Sequence, residues 1–267
     1  MSNILIVGAT RGLGASLRNL YASKETTKQV FATTRSSTES SAQTRVSWIP
    51  NIDVSQPDVG EKLVTQLPHS SKIDTAIVSA GYFGFETFDA PDWEKQVKMY
   101  TTSAIGPVFV VQQLVKAGFL DKGSKVILVS SECGSITLRH EKEGGGNYGH
   151  HASKAALNMV GKLLSLDLKE KRIAVGLVHP GFMRTEMTRS VGFDKYWDDG
   201  GAVTPDEAAE SLASFIEDFD LSMTGEYWAP RGPRGGFAHT IASTVVDELS
   251  KSEGAIFYVA DLLSQEL

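Results

Sequence analysis

The sequence predicts an α/β fold, a single domain in which a doubly wound parallel sheet is flanked by helices. Two observations predict it. Seven short β-branched runs, "NILIVG", "QVFATT", "VSWIPNI", "DTAIVSA", "KVILVS", "IAVGLVHP" and "GEYWAP", alternate with segments mostly long enough for crossover helices, the rhythm of repeated βαβ units. Each run is apolar nearly throughout, as a strand covered on both faces must be, rather than alternating as a strand with one wet face would. With 267 residues, 41% of them hydrophobic, the chain has material for one large core, so residues 1–267 are read as one domain. No internal repeat or linker divides it.

Composition excludes several functions. A single cysteine, Cys133, rules out an internal disulfide and a cysteine zinc site and fits a reducing, cytoplasmic setting. The opening run "ILIV" is short and lacks the basic flank of a signal peptide, and the longest later run, Ala104 to Val111, falls far short of a membrane span. Lys and Arg are scattered and outnumbered by Asp and Glu, 26 to 32. The sequence therefore offers no basic footprint for nucleic acid or anionic lipid, and its partner is read as a small molecule.

After the first strand comes "GATRGLG", with Gly8, Thr10, Arg11, Gly12, Leu13 and Gly14 opening the first helix. Glycines permit a tight turn and close approach of backbone N–H groups to a pyrophosphate, which the helix N-terminus then stabilises. A packing turn needs the same residues, so the later motifs carry the weight. The G-x-x-x-G-x-G spacing, with the segments that follow it in order, resembles the short-chain dehydrogenase/reductase family and its Rossmann fold, over nearly the whole chain.

That resemblance implies a cofactor site. After the second strand, "TTRS" puts Arg35 where the family reads the adenosine ribose. Arg35 and Arg11 supply two cations for a 2′-phosphate, and no acid occupies the strand end, which favours NADP(H) over NAD(H). "NIDVS" places Asp53 and Val54 beside the adenine. "VSAG" (Ser79, Ala80, Gly81) resembles the segment closing the cofactor cleft, with serine where asparagine is usual. "HPGFMRTEM" resembles the Pro-Gly segment after the sixth strand, in which Pro180, Gly181, Met183 and Thr185 would meet the nicotinamide end.

The chemistry end departs from the family. The family uses a tyrosine as acid/base, a lysine four residues later that also holds the cofactor ribose, a serine that fixes the substrate oxygen, and an asparagine in a proton relay. Positions i and i+4 share a helix face, which explains the pair. Here "ILVSSECGS" supplies Ser131 and "ASKAAL" supplies Lys154, but the tyrosine position holds His150 and the asparagine position in "TTSAIGP" holds Ser103. Tyr148 reaches the site only if it lies in the loop before the helix. Imidazole is a competent acid/base near neutral pH, and Lys154 one turn away disfavours its charged form. His151 is expected to point elsewhere and be exposed, and Cys133, near Ser131, is read either as a reactive thiol or, the commoner case, as a small buried residue. A metal site from His140, His150, His151 and His179 is not expected, since adjacent histidines do not face one centre easily.

Three readings stay open. The first is an NADP(H)-dependent carbonyl reductase of secondary metabolism. The second is a non-redox isomerase, dehydratase or cyclase with structural NADP(H), and the third a cofactor-binding module without catalysis. The stretch 184–203, rich in aromatics with Phe182 beside it, is expected to be a lid. With Tyr82, Phe83 and Phe85 it points to a bulky, apolar or aromatic ligand. The resemblance also implies a homodimer or homotetramer.

Overall fold

The computed structural model describes residues 1–37, 43–69, 71–139, 141 and 144–230, with the backbone of residues 237–239. His140, the chain beyond Pro230 in "GEYWAPRGPRGGF" and the apolar tail after Ser243 lie outside the described residues, apart from that backbone.

All seven apolar runs form strands: β1 (Ser2–Val7), β2 (Thr27–Thr33), β3 (Val46–Ile49), β4 (Thr75–Val78), β5 (Lys125–Val129), β6 (Ala174–Val178) and β7 (Tyr227–Pro230). They pair in parallel in the order β3-β2-β1-β4-β5-β6-β7, and β8 (Phe237–His239) adds one antiparallel strand beside β7. The chain reverses its direction of winding between β1 and β4. The crevice outside the carboxyl ends of those strands is where open α/β sheets bind ligands.

The central strands β1, β4, β5 and β6 are apolar nearly throughout because both faces are covered. Leu5 and Val7 of β1 enter a layer built with α2 (Val59–Gln66), α4 (Gly106–Lys116) and α5 (Tyr148–Leu168). Their neighbours Ile4 and Ile6 enter the opposite layer, with α1 (Gly12–Ser23) and α7 (Pro205–Asp218). Each such side chain contributes about 1.5–3 kcal/mol on leaving water, so one strand commits both layers at once.

Local sequence sets the helix ends. At α7 the Thr204 hydroxyl accepts from the Glu207 N–H at 3.2 Å, the Glu207 carboxylate accepts from the Thr204 N–H at 2.8 Å, and Pro205 follows the cap. At α1 the residue before the helix is Arg11, and no side chain caps the first turn. Between α3 (Trp93–Tyr100) and α4 the backbone widens into one π turn, Thr101–Ile105. A Cβ on Gly106 just after it would lie 2.1 Å from the Val54 carbonyl, so the helix presses directly on the Asp53–Val54 segment. Turns of this kind are frequent at functional sites.

Candidate active site

The glycine turn is shaped by contacts that only glycine permits. A Cβ on Gly14 would lie 2.0 Å from the Gly8 carbonyl, and one on Gly8, at φ +90°, would lie 2.7 Å from the Ala80 backbone. The Gly8 N–H donates to the Thr33 hydroxyl at 2.9 Å, tying the turn to β2. Backbone donors at the start of the twelve-residue helix α1 thus face the crevice without a capping side chain. That is a fitting cradle for a pyrophosphate.

Other predicted cofactor residues gather around this cradle. Ser79 donates its N–H to Val7 at 2.9 Å, and Ala80 and Gly81 continue along the crevice. Asp53 accepts from the N–H and hydroxyl of Ser55 at 3.0 and 2.8 Å. Burial pushes its carboxyl up, but those bonds, helped by Arg35 and Lys98, hold it below the usual range. Arg35 is exposed and near enough to Asp53 to favour its charged form. Arg11 has a different partner from the expected one: its guanidinium bonds Glu186 at 3.4 Å, linking the glycine turn to the segment after Pro180 and Gly181. Thr10 is exposed beside it, Leu13 is buried under α1, and Thr185 lies over Gly12.

The chemistry end is organised by Glu86, which no sequence motif singles out. Its carboxylate, in a residue only 2% exposed, accepts from the Gly149 N–H at 2.8 Å, the Gln96 amide at 2.8 Å and the Asp92 N–H at 3.2 Å. Burial would raise its pKa, and these donors outweigh burial and lower it. Its carbonyl accepts from the Asn147 N–H at 3.0 Å, while Asn147 sits in the left-handed region at φ 50°. A carboxylate 63 positions away thus does the work of an N-cap for α5.

On α5, His150 and Lys154 share one buried face, at 9% and 8% exposure. His150 stacks on Phe83, and its Nδ1 has no hydrogen-bond partner. Burial lowers its pKa and Lys154 and His151 add to this, against an opposing pull from Cys133. Lys154 donates to the Val129 carbonyl at 2.9 Å, and burial pushes it down to about 8. Tyr148 does not lie in the loop: it is the first residue of α5, 40% exposed, with its hydroxyl over Gly145. Ser103 is buried inside the π turn with its hydroxyl unpartnered. Ser131 accepts from the Cys133 N–H at 3.1 Å at the start of the short turn Glu132–Gly134, and a Cβ on Gly134 would touch the Lys154–Ala155 backbone at 2.7 Å. That turn therefore packs directly on α5.

This packing corrects one expectation. His151 is not a free surface residue: it is half-buried, donates from Nδ1 to the Asn147 carbonyl at 2.9 Å, and has its pKa raised chiefly by hydrogen bonding to Cys133. The surroundings of Cys133 favour the reactive thiol of its two readings. Burial alone would raise it, but hydrogen bonding to His150, His151 and Ser131 pulls it down to about 5. His179, close by, is 3.7 Å from the Glu132 carboxylate, and burial together with Lys154 pushes it to about 4. Among the described residues no three His, Cys, Asp or Glu side chains are grouped to hold a metal ion.

The stretch 184–203 has its own order. Met183 bridges Val203, and Arg184 bonds both the Ala202 carbonyl and the Asp198 carboxylate, closing the loop at its base. Within it run α6 (Glu186–Ser190), capped by Thr185, and a turn over Phe193–Tyr196. Phe193 meets Phe83 edge-on at 5.7 Å, and Met187 lies over Gly81. Phe182 packs beside Gly200, while Phe85 and Tyr196 are exposed.

Comparison with known proteins decides the family. The family model described as short chain dehydrogenase matches residues 2–195. The chain is a member of the short-chain dehydrogenase family. Among relatives of this short-chain dehydrogenase, the 1-hydroxy-2-glutathionyl-2-methyl-3-butene dehydrogenase of Rhodococcus sp. strain AD45 is 27% identical over 229 residues, 85% of this chain and 96% of that one. Two similar solved structures are a carbonyl reductase from Pseudomonas aeruginosa PAO1 and a short-chain dehydrogenase/reductase from Burkholderia multivorans with bound NADP. The first has a TM-score of 0.69 and 28% identity, covering 86% of this chain and 96% of that one. The second has a TM-score of 0.68 and 25% identity, covering 88% and 99%. Among the described residues, no helix of this short-chain dehydrogenase is long and apolar enough to cross a membrane.

Proposed function

We propose that this short-chain dehydrogenase is a cytoplasmic NADP(H)-dependent carbonyl reductase for a bulky, apolar or aromatic small molecule in secondary metabolism, with His150 in the tyrosine position and Ser103 in the asparagine position. The observation that carries the reading is the burial of His150 and Lys154 on one face of α5, packed against the Ser131 turn and roofed by Phe83. The Gly8–Gly14 turn would hold the pyrophosphate, Arg35 and Arg11 the 2′-phosphate, Asp53 and Val54 the adenine, Ser79 to Gly81 and Lys154 the ribose side. Pro180, Gly181, Met183 and Thr185 would hold the nicotinamide end. When bound, NADPH supplies the hydride.

The chain's own residues then handle the substrate oxygen. The Ser131 hydroxyl donates a hydrogen bond to it, and the Lys154 ammonium stabilises the charge that develops there. His150 delivers the proton as an imidazolium, a form that burial makes scarce at neutral pH. Ser103, unpartnered in the π turn, offers its hydroxyl to a proton relay. Phe83, Phe193 and Met187 exclude water and favour an apolar body.

The same depressed His150 favours a second reading. A neutral imidazole is poised to abstract a proton, as an isomerase or dehydratase requires. NADPH oxidation with a panel of bulky ketones decides between them. Reductase action predicts a loss of about 10²–10⁴-fold in His150→Ala and little change in Tyr148→Phe. Product formation at constant nicotinamide absorbance selects the non-redox reading, and loss in Tyr148→Phe alone overturns the role of His150.

Assembly as a homodimer or homotetramer is supported by exposed apolar side chains on two helices: Phe109 on α4 and Met159, Leu163 and Leu166 on α5, with Ile105 beside them. Light scattering after size exclusion tests it, with a monomer as the contrary result.

A further inference from the structure

A carbonyl reduction consumes a proton that must be replaced from water, yet His150, Lys154 and Ser103 are only 9%, 8% and 1% exposed. A polar cluster between α5 and the sheet offers the route. Side chains of β6 alternate, Leu177 entering the α5 layer and Val178 the opposite one, so His179, one step on, faces α5. Tyr227 of β7 lies in the same layer as Leu177, its ladder partner, and the His179 N–H donates to the neighbouring Trp228 carbonyl at 2.8 Å. On the other side, Ser130 stands next to His179 in the register that pairs Val129 with Val178, and its N–H donates to the Val178 carbonyl at 2.7 Å. The Ser130 hydroxyl donates to the Asn158 side-chain oxygen at 2.5 Å. Asn158 is four residues on from Lys154, on the same face of α5.

Three buried atoms on these side chains, Asn158 Nδ2, His179 Nδ1 and Tyr227 Oη, have no hydrogen-bond partner among the described residues. Buried polar groups almost always bond to protein or to ordered water, and an unpaired one costs about 1–3 kcal/mol. Three on adjoining side chains are the lining of a water site. The cluster has two ends. At the outer end the Glu132 carboxylate, 39% exposed, lies 3.7 Å from His179 Nε2, close enough for a rotation of the carboxylate to make the bond. At the inner end the Lys154 ammonium donates to the carbonyl of Val129, the residue before Ser130, at 2.9 Å.

We propose that Glu132, His179 and water held by Asn158 and Tyr227 form a proton path from solvent to Lys154. That Lys154 then restores the proton given up by His150, one turn before it, rests on the reductase reading. The hydrated cluster does not depend on that reading. Each transfer balances. The Glu132 carboxylate takes a proton from solvent and gives it to His179 Nε2, the ring releases the proton on Nδ1 to the held water, and that water gives one of its own to the Lys154 amine. A half-turn of the ring restores the first tautomer. One proton leaves solvent, one arrives at Lys154, and no other bond changes.

The surroundings suit this task. Glu132 faces the imidazole from the turn after β5, Lys154 from α5 and the Tyr227 phenol from β7. Burial, with Lys154, keeps the ring neutral at pH 7, so one nitrogen accepts while the other donates. Burial and Cys133 raise the Glu132 carboxyl, against a smaller opposing pull from Arg139, which eases its protonation.

The test begins with a high-resolution crystal structure of the full chain at pH 7 without nucleotide. Ordered water is expected within roughly 3.2 Å of His179 Nδ1 and of Asn158 Nδ2 or Tyr227 Oη. A dry His179 Nδ1 overturns the path. NADPH oxidation with bulky ketones is then measured in H2O and D2O for wild type and for folded Glu132→Gln and His179→Gln. Both variants should lose about tenfold or more in kcat with KM little changed, and their solvent isotope effects should rise because proton supply now limits the rate. Glu132→Asp should recover part of the loss. Unchanged kcat in the two variants, or a loss with the isotope effect unmoved, overturns the path, since a merely structural role gives the second result. The water measurement involves no reaction, so a wild type that reduces no ketone counts against the reductase reading alone.

Discussion

The imidazole of His150 lies 4.1 Å from the ring of Phe83, centroid to centroid, with the two planes 19° apart. Phe193 of the 184–203 stretch meets Phe83 edge-on at 5.7 Å, so His150 is roofed by an aromatic pair from two distant loops. Burial is the main cause of the low His150 pKa, and this stack is part of that burial. Phe83→Ala should therefore raise the His150 pKa toward about 6.5. An NMR titration of the ring protons checks this, and an unmoved titration would refute the stack as the cause.

His179 predicts how stability responds to acid. Burial holds its folded pKa near 4 against an ordinary 6.5, so the unfolded chain binds more protons between those values. Unfolding free energy should therefore fall as pH drops from 6.5 to 4 and level off below, by about 3 kcal/mol from this residue. Urea unfolding of wild type and His179→Gln at pH 7 and 4.5 isolates the contribution: the variant should lose less stability on acidification.

Two glycines separate steric need from backbone strain. Gly14→Ala places a Cβ 2.0 Å from the Gly8 carbonyl and should cost about 3 kcal/mol or more, or prevent folding. Gly118→Ala, at φ +77° with open space around it, should cost only about 1 kcal/mol. Thermal melts of the pair provide the comparison, and equal costs would contradict the packing of the turn.

Glu186 competes for Arg11. The pair is exposed, 54% and 75% at the side chains, so Glu186→Gln should change stability by less than about 1 kcal/mol. Releasing the guanidinium should tighten NADPH binding about two- to fivefold and leave NADH unchanged, because only NADPH presents a 2′-phosphate. Fluorescence titration with both nucleotides measures it. Equal gains for both would remove Arg11 from phosphate recognition.

Much of the frame was legible in the sequence because it depends on local rules. All seven apolar runs are strands because strands buried on both faces need continuous apolar side chains, and "GATRGLG" is a tight turn because a Cβ there would strike Gly8 or Ala80. The four-residue step from His150 to Lys154 put both on one helix face. The π turn around Ser103 was not legible, since nothing in "TTSAIGP" distinguishes it from ordinary helix.

The sequence by itself determined the strands, the glycine cradle and the face of α5 that carries His150 and Lys154, since these follow from side-chain period and backbone sterics within a few residues. Only the tertiary structure decided their surroundings. Glu86 caps a helix 63 positions away, Arg11 answers Glu186 across 175, and the Cys133 turn folds onto His150 and His151. Hydrogen bonding, burial and proton affinity depend on neighbours in space, and the sheet brings those neighbours together from loops that share no local pattern.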